Sequence, residues 1–287
     1  MQEQRMIDSA EDERMNRFVE DILKEKVRRD SATLWWLGQM GLLVKMGDKV
    51  LCIDYFASDV PDRQVPPPIP MDAMEGIDFF LGTHNHIDHI DHPAWRTWAV
   101  CCPEAKFVFP ELHRSEILSD GVDADRCIGM NDGDSVQTGE ITIRVVAASH
   151  EFLDPVSGLY PCLQYVIEEN GVRIYHAGDT VRYEGMLPKL KAFGPIDAAL
   201  LPINGRDAQR YRRNCIGNMT FQEAADLAGE LQPELVLPGH WDMFADNSGD
   251  PDAFADYLTV KYSGRIKVVR PSLLMPVRIG HKQEEPA

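Results

Sequence analysis

The sequence predicts an α+β chain in which two β-sheets pack face to face and carry helices on their outer faces. Three observations point there. Short apolar runs of strand length, separated by glycine-containing turns, fill the first half. The second half repeats that style and adds a helix between strands. Every histidine or aspartate of chemical interest follows directly on an apolar strand, as site loops on a rigid scaffold do. At 287 residues the chain lies near the ~250–300 residues at which a single core stops growing. We therefore expect one domain over 1–287, with an N-terminal helix in 1–30 and the core in 31–287. With 44% hydrophobic and 26% charged residues, a disordered or fibrous chain is excluded.

Met15, Phe18, Val19, Ile22, Leu23 and Val27 recur at helical spacing with charges between them, giving an amphipathic helix that Asp30-Ser31 ends. Then Thr33–Leu37, Gly41–Lys45 and Lys49–Asp54 read as three consecutive strands. The stretch Val60–Pro70 carries five prolines that cannot donate ladder hydrogen bonds, so it is a loop. Ile77–Leu81, Lys106–Phe109 and Ile141–Val146 are further strands. Leu163–Ile167 and Val172–Tyr175 form a hairpin about Glu169-Asn170-Gly171. Ala198–Leu201 and Leu235–Leu237 are strands separated by a helix around Thr220–Leu231.

The formal net charge is −17, which repels phosphate backbones and anionic lipid at long range. Nucleic acid and membrane are therefore excluded as partners, and small molecules are the expected ligands. The first residues lack an apolar leader segment and no apolar run reaches transmembrane length, so a cytoplasmic location is expected. The six cysteines contain no Cys-x-x-Cys and read as reduced, mostly buried small hydrophobes.

Thr83-His84-Asn85-His86-Ile87-Asp88-His89 places three imidazoles and a carboxylate directly after a buried strand. These are the usual ligands of Zn²⁺, Mn²⁺ and Fe²⁺, and so tight a cluster is costly to desolvate without a cation. The other reading is a solvated polar loop with neutral histidines. Three more candidates follow strands: His150, Asp179 and His240. Each alone is a common turn or structural residue, but together with the cluster they form a metal-ligand set.

On these residues the chain resembles the metallo-β-lactamase superfamily, whose motif His-x-His-x-Asp-His stands here as His84, His86, Asp88 and His89. Within it, the closer likeness is to the L-ascorbate-6-phosphate lactonase group, through Trp35-Trp36-Leu37-Gly38, Asp54, the segment Thr83 to Asp91, Tyr175-His176-Ala177-Gly178-Asp179 and His240-Trp241-Asp242. The resemblance implies a four-layer αββα sandwich with a two-metal site at one edge of the sheets. It implies that His84, His86 and His150 hold one divalent ion, that Asp88, His89 and His240 hold the other, and that Asp179 bridges them. Mn²⁺ or Zn²⁺ suits such ligands, as does Fe²⁺. Two ions about 3.5–4 Å apart share a hydroxide that attacks a carbonyl or phosphoryl centre, with Asp88 as the candidate catalytic carboxylate that orients it or relays its proton. The resemblance also implies a homo-oligomer.

Four further features stay open between two readings. Asp54 is either the acceptor for a ligating histidine, as the resemblance suggests, or an ordinary strand-end turn residue. His176 and Trp241 either line the pocket or pack. The run Asn204–Asn214, with Arg206 and Arg210, either covers the cleft and holds a phosphate or carboxylate or is a solvated loop. No nucleophile elbow, phosphate loop or dinucleotide fingerprint occurs. The expected activity is thus metal-dependent opening of a sugar-derived lactone, of the L-ascorbate 6-phosphate kind, on a small anionic or sugar-derived substrate. The alternatives are a phosphodiesterase on a small cyclic or nucleotide phosphate and a non-catalytic metal-binding protein.

Overall fold

The computed structural model describes residues 18–150 and 152–280. It opens on α1 (18–24); Met15 and the expected span up to residue 17 lie outside the described residues. The helix stops at 24, short of the expected Asp30, and Val27 falls in irregular chain. The reason is Lys45, buried in the next sheet, whose Nζ donates to the carbonyls of Ile22 at 2.7 Å and Leu23 at 2.6 Å. An ammonium there satisfies the Leu23 carbonyl, joins the Glu25 amide on that of Ile22 and suits the negative end of the helix dipole.

The first sheet is laid down by β1 (Ser31–Gly38), β2 (Gly41–Met46), β3 (Lys49–Ile53), β4 (Phe79–Leu81), β5 (Lys106–Pro110) and β6 (Cys127–Met130). The second is laid down by β7 (Ser135–Thr138), β8 (Ile141–Ala147), β9 (Leu163–Glu169), β10 (Val172–His176), β11 (Ala198–Pro202), β12 (Leu235–Gly239) and β13 (Lys267–Val268). β14 (Pro276–Gly280) returns to the first sheet, giving the orders β14-β1-β2-β3-β4-β5-β6 and β13-β12-β11-β10-β9-β8-β7. Each sheet starts antiparallel and turns parallel, at β3–β4 in one and β10–β11 in the other. The carboxyl ends of β3, β4, β8, β10 and β12 consequently share one edge of the sandwich.

Alternate residues explain the layers. Leu34, Leu42, Val44, Leu51 and Ile53 face Ile143, Val145, Tyr165, Leu200 and Leu237 between the sheets. On the outer face of the first sheet, Trp35, Leu43, Phe80 and Phe107 meet α1 and the tryptophans of α2 (His92–Cys101). Phe80 stacks on Trp98 with centroids 4.4 Å apart. α3 (Arg114–Ser119) lies on the same side through Ile117. On the second sheet, Val166, Tyr175, Ala199 and Val236 are covered by α4 (Met186–Ala192), α6 (Phe221–Leu231) and α7 (Pro251–Lys261); the short α5 (Ala208–Arg212) follows β11 and buries nothing. The four-layer αββα arrangement is the one the resemblance implied. α6 starts where the sequence indicates: Thr220 and Glu223 form a reciprocal capping box. Cys52, Cys101, Cys102, Cys127 and Cys215 are free thiols, and among the described residues no helix is long and apolar enough to cross a membrane.

Candidate active site

β4 is buried and ends at Leu81, and the next residues coil tightly: the amides of His89 and Ile90 both donate to the His86 carbonyl. Asp91 then caps α2 and also accepts from the amides of Ala57 at 2.9 Å and Ser58 at 2.6 Å. One carboxylate so ties the loop after β3 to the loop after β4. Into the same space the second sheet projects His150 from the end of β8, Asp179 from the end of β10 and His240 from the end of β12. His240 has φ 58, a left-handed conformation costly for a side chain of that size and a mark of an over-determined site.

The seven residues converge as the sequence indicated. Donor atoms of His84, His86 and His150 lie within 4.8 Å of one another, as do those of Asp88, His89 and His240, and those of His84, His89 and Asp179. Asp179 faces both groups: its Oδ1 is 3.4 Å from His89 Nε2, and its Oδ2 is 3.2 Å from His240 Nε2 and 3.6 Å from His150 Nε2. His86 Nδ1 is 2.9 Å from His84 Nε2 and 3.3 Å from His150 Nε2.

Asp54 fixes which ring nitrogens face inward. Its Oδ2 accepts from His89 Nδ1 at 2.6 Å and from the Thr83 hydroxyl at 2.7 Å, while its Oδ1 accepts from the Thr83 amide at 2.8 Å. The Thr83 hydroxyl has spent its proton on Asp54, so His84 Nδ1 donates to it at 3.1 Å. Both His84 and His89 therefore turn an Nε2 lone pair to the centre. His89 Nε2 and Asp179 Oδ1 are buried with no hydrogen-bond partner, and with Nδ1 of His89 donating to Asp54 the pair is satisfied by a proton or a metal ion between them. The site residues fit divalent metal.

The charges agree. Burial drives His84 far below its ordinary value, with the neighbouring imidazoles adding to the effect, and burial lowers His150 to about 4. Burial also opposes charge on His89, but Asp179, Asp54 and Asp88 outweigh it and raise its pKa. For Asp179 burial is outweighed by His240 and His89, which hold its carboxyl well below the usual range. The centre is thus a balance of buried imidazole and carboxylate in which a proton and a divalent cation compete for the same lone pairs.

Other expected residues divide. Asp54 is the acceptor for His89. His176 is fully buried and does not line a pocket: its Nε2 donates to the Met40 carbonyl at 2.8 Å and its Nδ1 accepts from the Gly178 amide at 3.2 Å. Trp241 stacks on Trp36 at 5.4 Å and lies beneath Arg270. It borders a cleft of about 870 Å³ beside Asp242 and Arg270.

The two arginines of the run have partners within the chain. Arg206 forms a paired contact with Glu223 at 2.6 and 2.7 Å and donates to the Asn218 carbonyl. Arg210 donates to the carbonyls of Asn204, Gly205 and Ser248 and pairs with Asp207. Carbonyls of a glycine-bracketed loop and the carboxylate of a capping box thus engage both guanidiniums, which close the loop. Sequence reasoning missed Thr83 and Gln39; a lone amide in the glycine-bracketed run Gly38-Gln39-Met40-Gly41 was the available signal for the latter.

A two-sheet αββα scaffold presenting a buried histidine and carboxylate cluster at one edge defines the class of metal-dependent hydrolases. The chain belongs to the beta-lactamase superfamily, whose domain matches residues 52–241. It is similar to a "UPF0173 metal-dependent hydrolase" of Pyrococcus furiosus, 29% identical over 82% of this chain and 95% of that one. It is also similar to a Salmonella paratyphi B protein named "Probable L-ascorbate-6-phosphate lactonase UlaG", 25% identical over 81% of this chain and 75% of that one. Among solved structures, Igni18, a metallo hydrolase of Ignicoccus hospitalis, superposes with a TM-score of 0.70 at 23% identity, over 88% of this chain and 100% of that one.

Proposed function

We propose that the chain opens a small sugar-derived lactone using two divalent cations, Mn²⁺ or Zn²⁺. The observation that carries this is Asp179, whose two oxygens face His89 on one side and His150 and His240 on the other. His84, His86 and His150 would hold one cation and Asp88, His89 and His240 the second, with Asp179 shared. Bound there, such cations supply water acidified toward a pKa of ~7 and an electrophilic pull on the attacked carbonyl. The chain's own residues do the rest. Asp54 and Thr83 hold the inward tautomers of His89 and His84. Asp88, with 13% side-chain exposure against 4% for Asp179 and none for Asp54, is the carboxylate open to solvent. It takes the proton of the attacking water as the carbon–oxygen bond forms, and returns it to the ring alkoxide as the ester bond breaks.

The lactonase name carried by the Salmonella relative supports an ester carbonyl as the target. The test is metal content of the purified protein with hydrolysis of L-ascorbate 6-phosphate and of bis(p-nitrophenyl) phosphate, each with and without chelator. Two metals per chain and chelator-sensitive ring opening are expected. Cleavage of the phosphodiester alone would move the reaction to phosphorus, and absence of both activities would return the chain to metal binding alone.

A further inference from the structure

β1 ends on Gly38 at φ 92°, and Gln39 after it also has a positive φ, 53°. For glycine this conformation is easy, but for glutamine it is not, and asparagine or glycine would turn the chain with less strain. Gln39 is 1% exposed. Its backbone is fully engaged across the sandwich. The amide donates to Asp242 Oδ1 at 2.8 Å, and the carbonyl accepts from the His240 amide and from Trp36 Nε1, each at 3.0 Å. Those bonds already fasten the β1–β2 turn to the loop after β12, and a shorter side chain would leave them in place.

The side chain does something else. Its Nε2 lies 2.8 Å from Asp88 Oδ2 and 3.2 Å from His240 Nε2. Asp88 fixes the orientation of the carboxamide, since the reverse would set two acceptor oxygens against each other at that distance. Burying a primary amide is unfavourable unless it is satisfied, and here its Oε1 is left without a partner. A strained backbone and a half-satisfied amide are thus both maintained for contacts to one half of the cluster, the hydrogen bond to Asp88 first and the approach to His240 second.

We propose that Gln39 is a positioning residue: its carboxamide holds Asp88 in the orientation that completes the Asp88–His89–His240 half of the cluster, and so sets that half's affinity for its cation. The inference rests on the proposed reading that this half binds a divalent ion. Asp88 follows Ile87, which is 51% exposed, in a tight turn, and Gln39 Nε2 is the side-chain donor found on its Oδ2. The His84–His86–His150 half has no contact with Gln39 among the described residues, so the effect is confined to one of the two halves.

The test is calorimetric titration of metal-free protein with Mn²⁺, comparing the full chain with Gln39→Met and Gln39→Asn. Methionine keeps the length and removes the donor. Asparagine suits the left-handed backbone, which protects folding, yet falls one methylene short of Asp88. Single variants His150→Ala and His240→Ala assign each binding event to its half. The parent should bind two equivalents. Both Gln39 variants should weaken the event that His240→Ala abolishes by ~10–100-fold, the usual effect of removing a group that orients a metal ligand, and leave the other unchanged. Unchanged affinities in a folded variant, verified by circular dichroism, would show that Gln39 only packs; equal weakening of both events would show a general disturbance; either overturns the inference. A parent that binds fewer than two equivalents would instead overturn the two-cation reading and this inference with it.

Discussion

Asp54 does more at the residue scale than its place at a strand end suggests. It holds φ 46, is buried, and accepts three hydrogen bonds that fix His89 directly and His84 through Thr83. Asp54→Asn keeps the shape but offers the His89 ring an amide in place of a carboxylate. It should weaken metal binding by ~10–100-fold, read by titration, with the melting temperature of the metal-free protein nearly retained. If metal affinity is unmoved while His89→Ala abolishes it, Asp54 is a turn residue and nothing more. His176 makes the opposite prediction. Both its nitrogens are used on backbone groups of the two sheets, so His176→Leu should cost roughly 1–3 kcal/mol for the buried Met40 carbonyl left unpaired. Chemical denaturation should show that loss with metal stoichiometry unchanged.

At the scale of elements, the loop after β11 is a structural closure whose stability depends on pH. Glu223 is held below its ordinary carboxylate value first by its bond to Arg206, against burial, with the Thr220 amide helping. A carboxylate depressed in the folded state contributes stability that is present above its unfolded value, near 4.5, and is lost as pH falls through the folded one. Protection against hydrogen exchange in 204–223, taken relative to the intrinsic rate at each pH, should therefore fall below that value, and Glu223→Gln should remove the dependence. Arg206→Ala should loosen the same segment while leaving KM for a phosphorylated substrate unchanged; a large rise in KM would restore the arginine to the substrate. This is also where the sequence was least legible. Strands were readable because each buries alternate apolar residues, as Leu34 and Leu42 do against Trp35 and Leu43. The convergence of the histidine and aspartate cluster was readable because each member follows such a strand. Whether Arg206 faces a substrate or Glu223 depends on a contact across 17 residues that carries no periodicity, and the amide of Gln39 finds Asp88 across 49. α1 ended early for the same reason: the ammonium that stops it is supplied by Lys45 from another element.

For the whole molecule, the candidate site is a seam. His84, His86, Asp88 and His89 come from the first sheet, whereas His150, Asp179 and His240 come from the second, and each half of the cluster takes ligands from both. A cation in either half would therefore cross-link the two sheets, adding to the apolar layer between them and to hydrogen bonds such as His176 to Met40 and Gln39 to Asp242. Binding to the folded state alone stabilises by about 2.7 kcal/mol at a free-ion concentration of ~100 times Kd. For a chain of this size each kcal/mol moves the melting temperature by roughly 2–4 °C. Removal of metal by a chelator should consequently lower the melting temperature by roughly 5–10 °C per site lost, measured by calorimetry at fixed ion concentration. The cross-link also says where the loss originates. A His150→Ala, His240→Ala double variant keeps every ligand of the first sheet but deprives both halves of their second-sheet imidazole, so its melting temperature should respond little to the chelator. If that variant still melts lower on chelation by the full amount, the two imidazoles are not what couples the ions to the second sheet, and Asp179 alone would have to carry the cross-link.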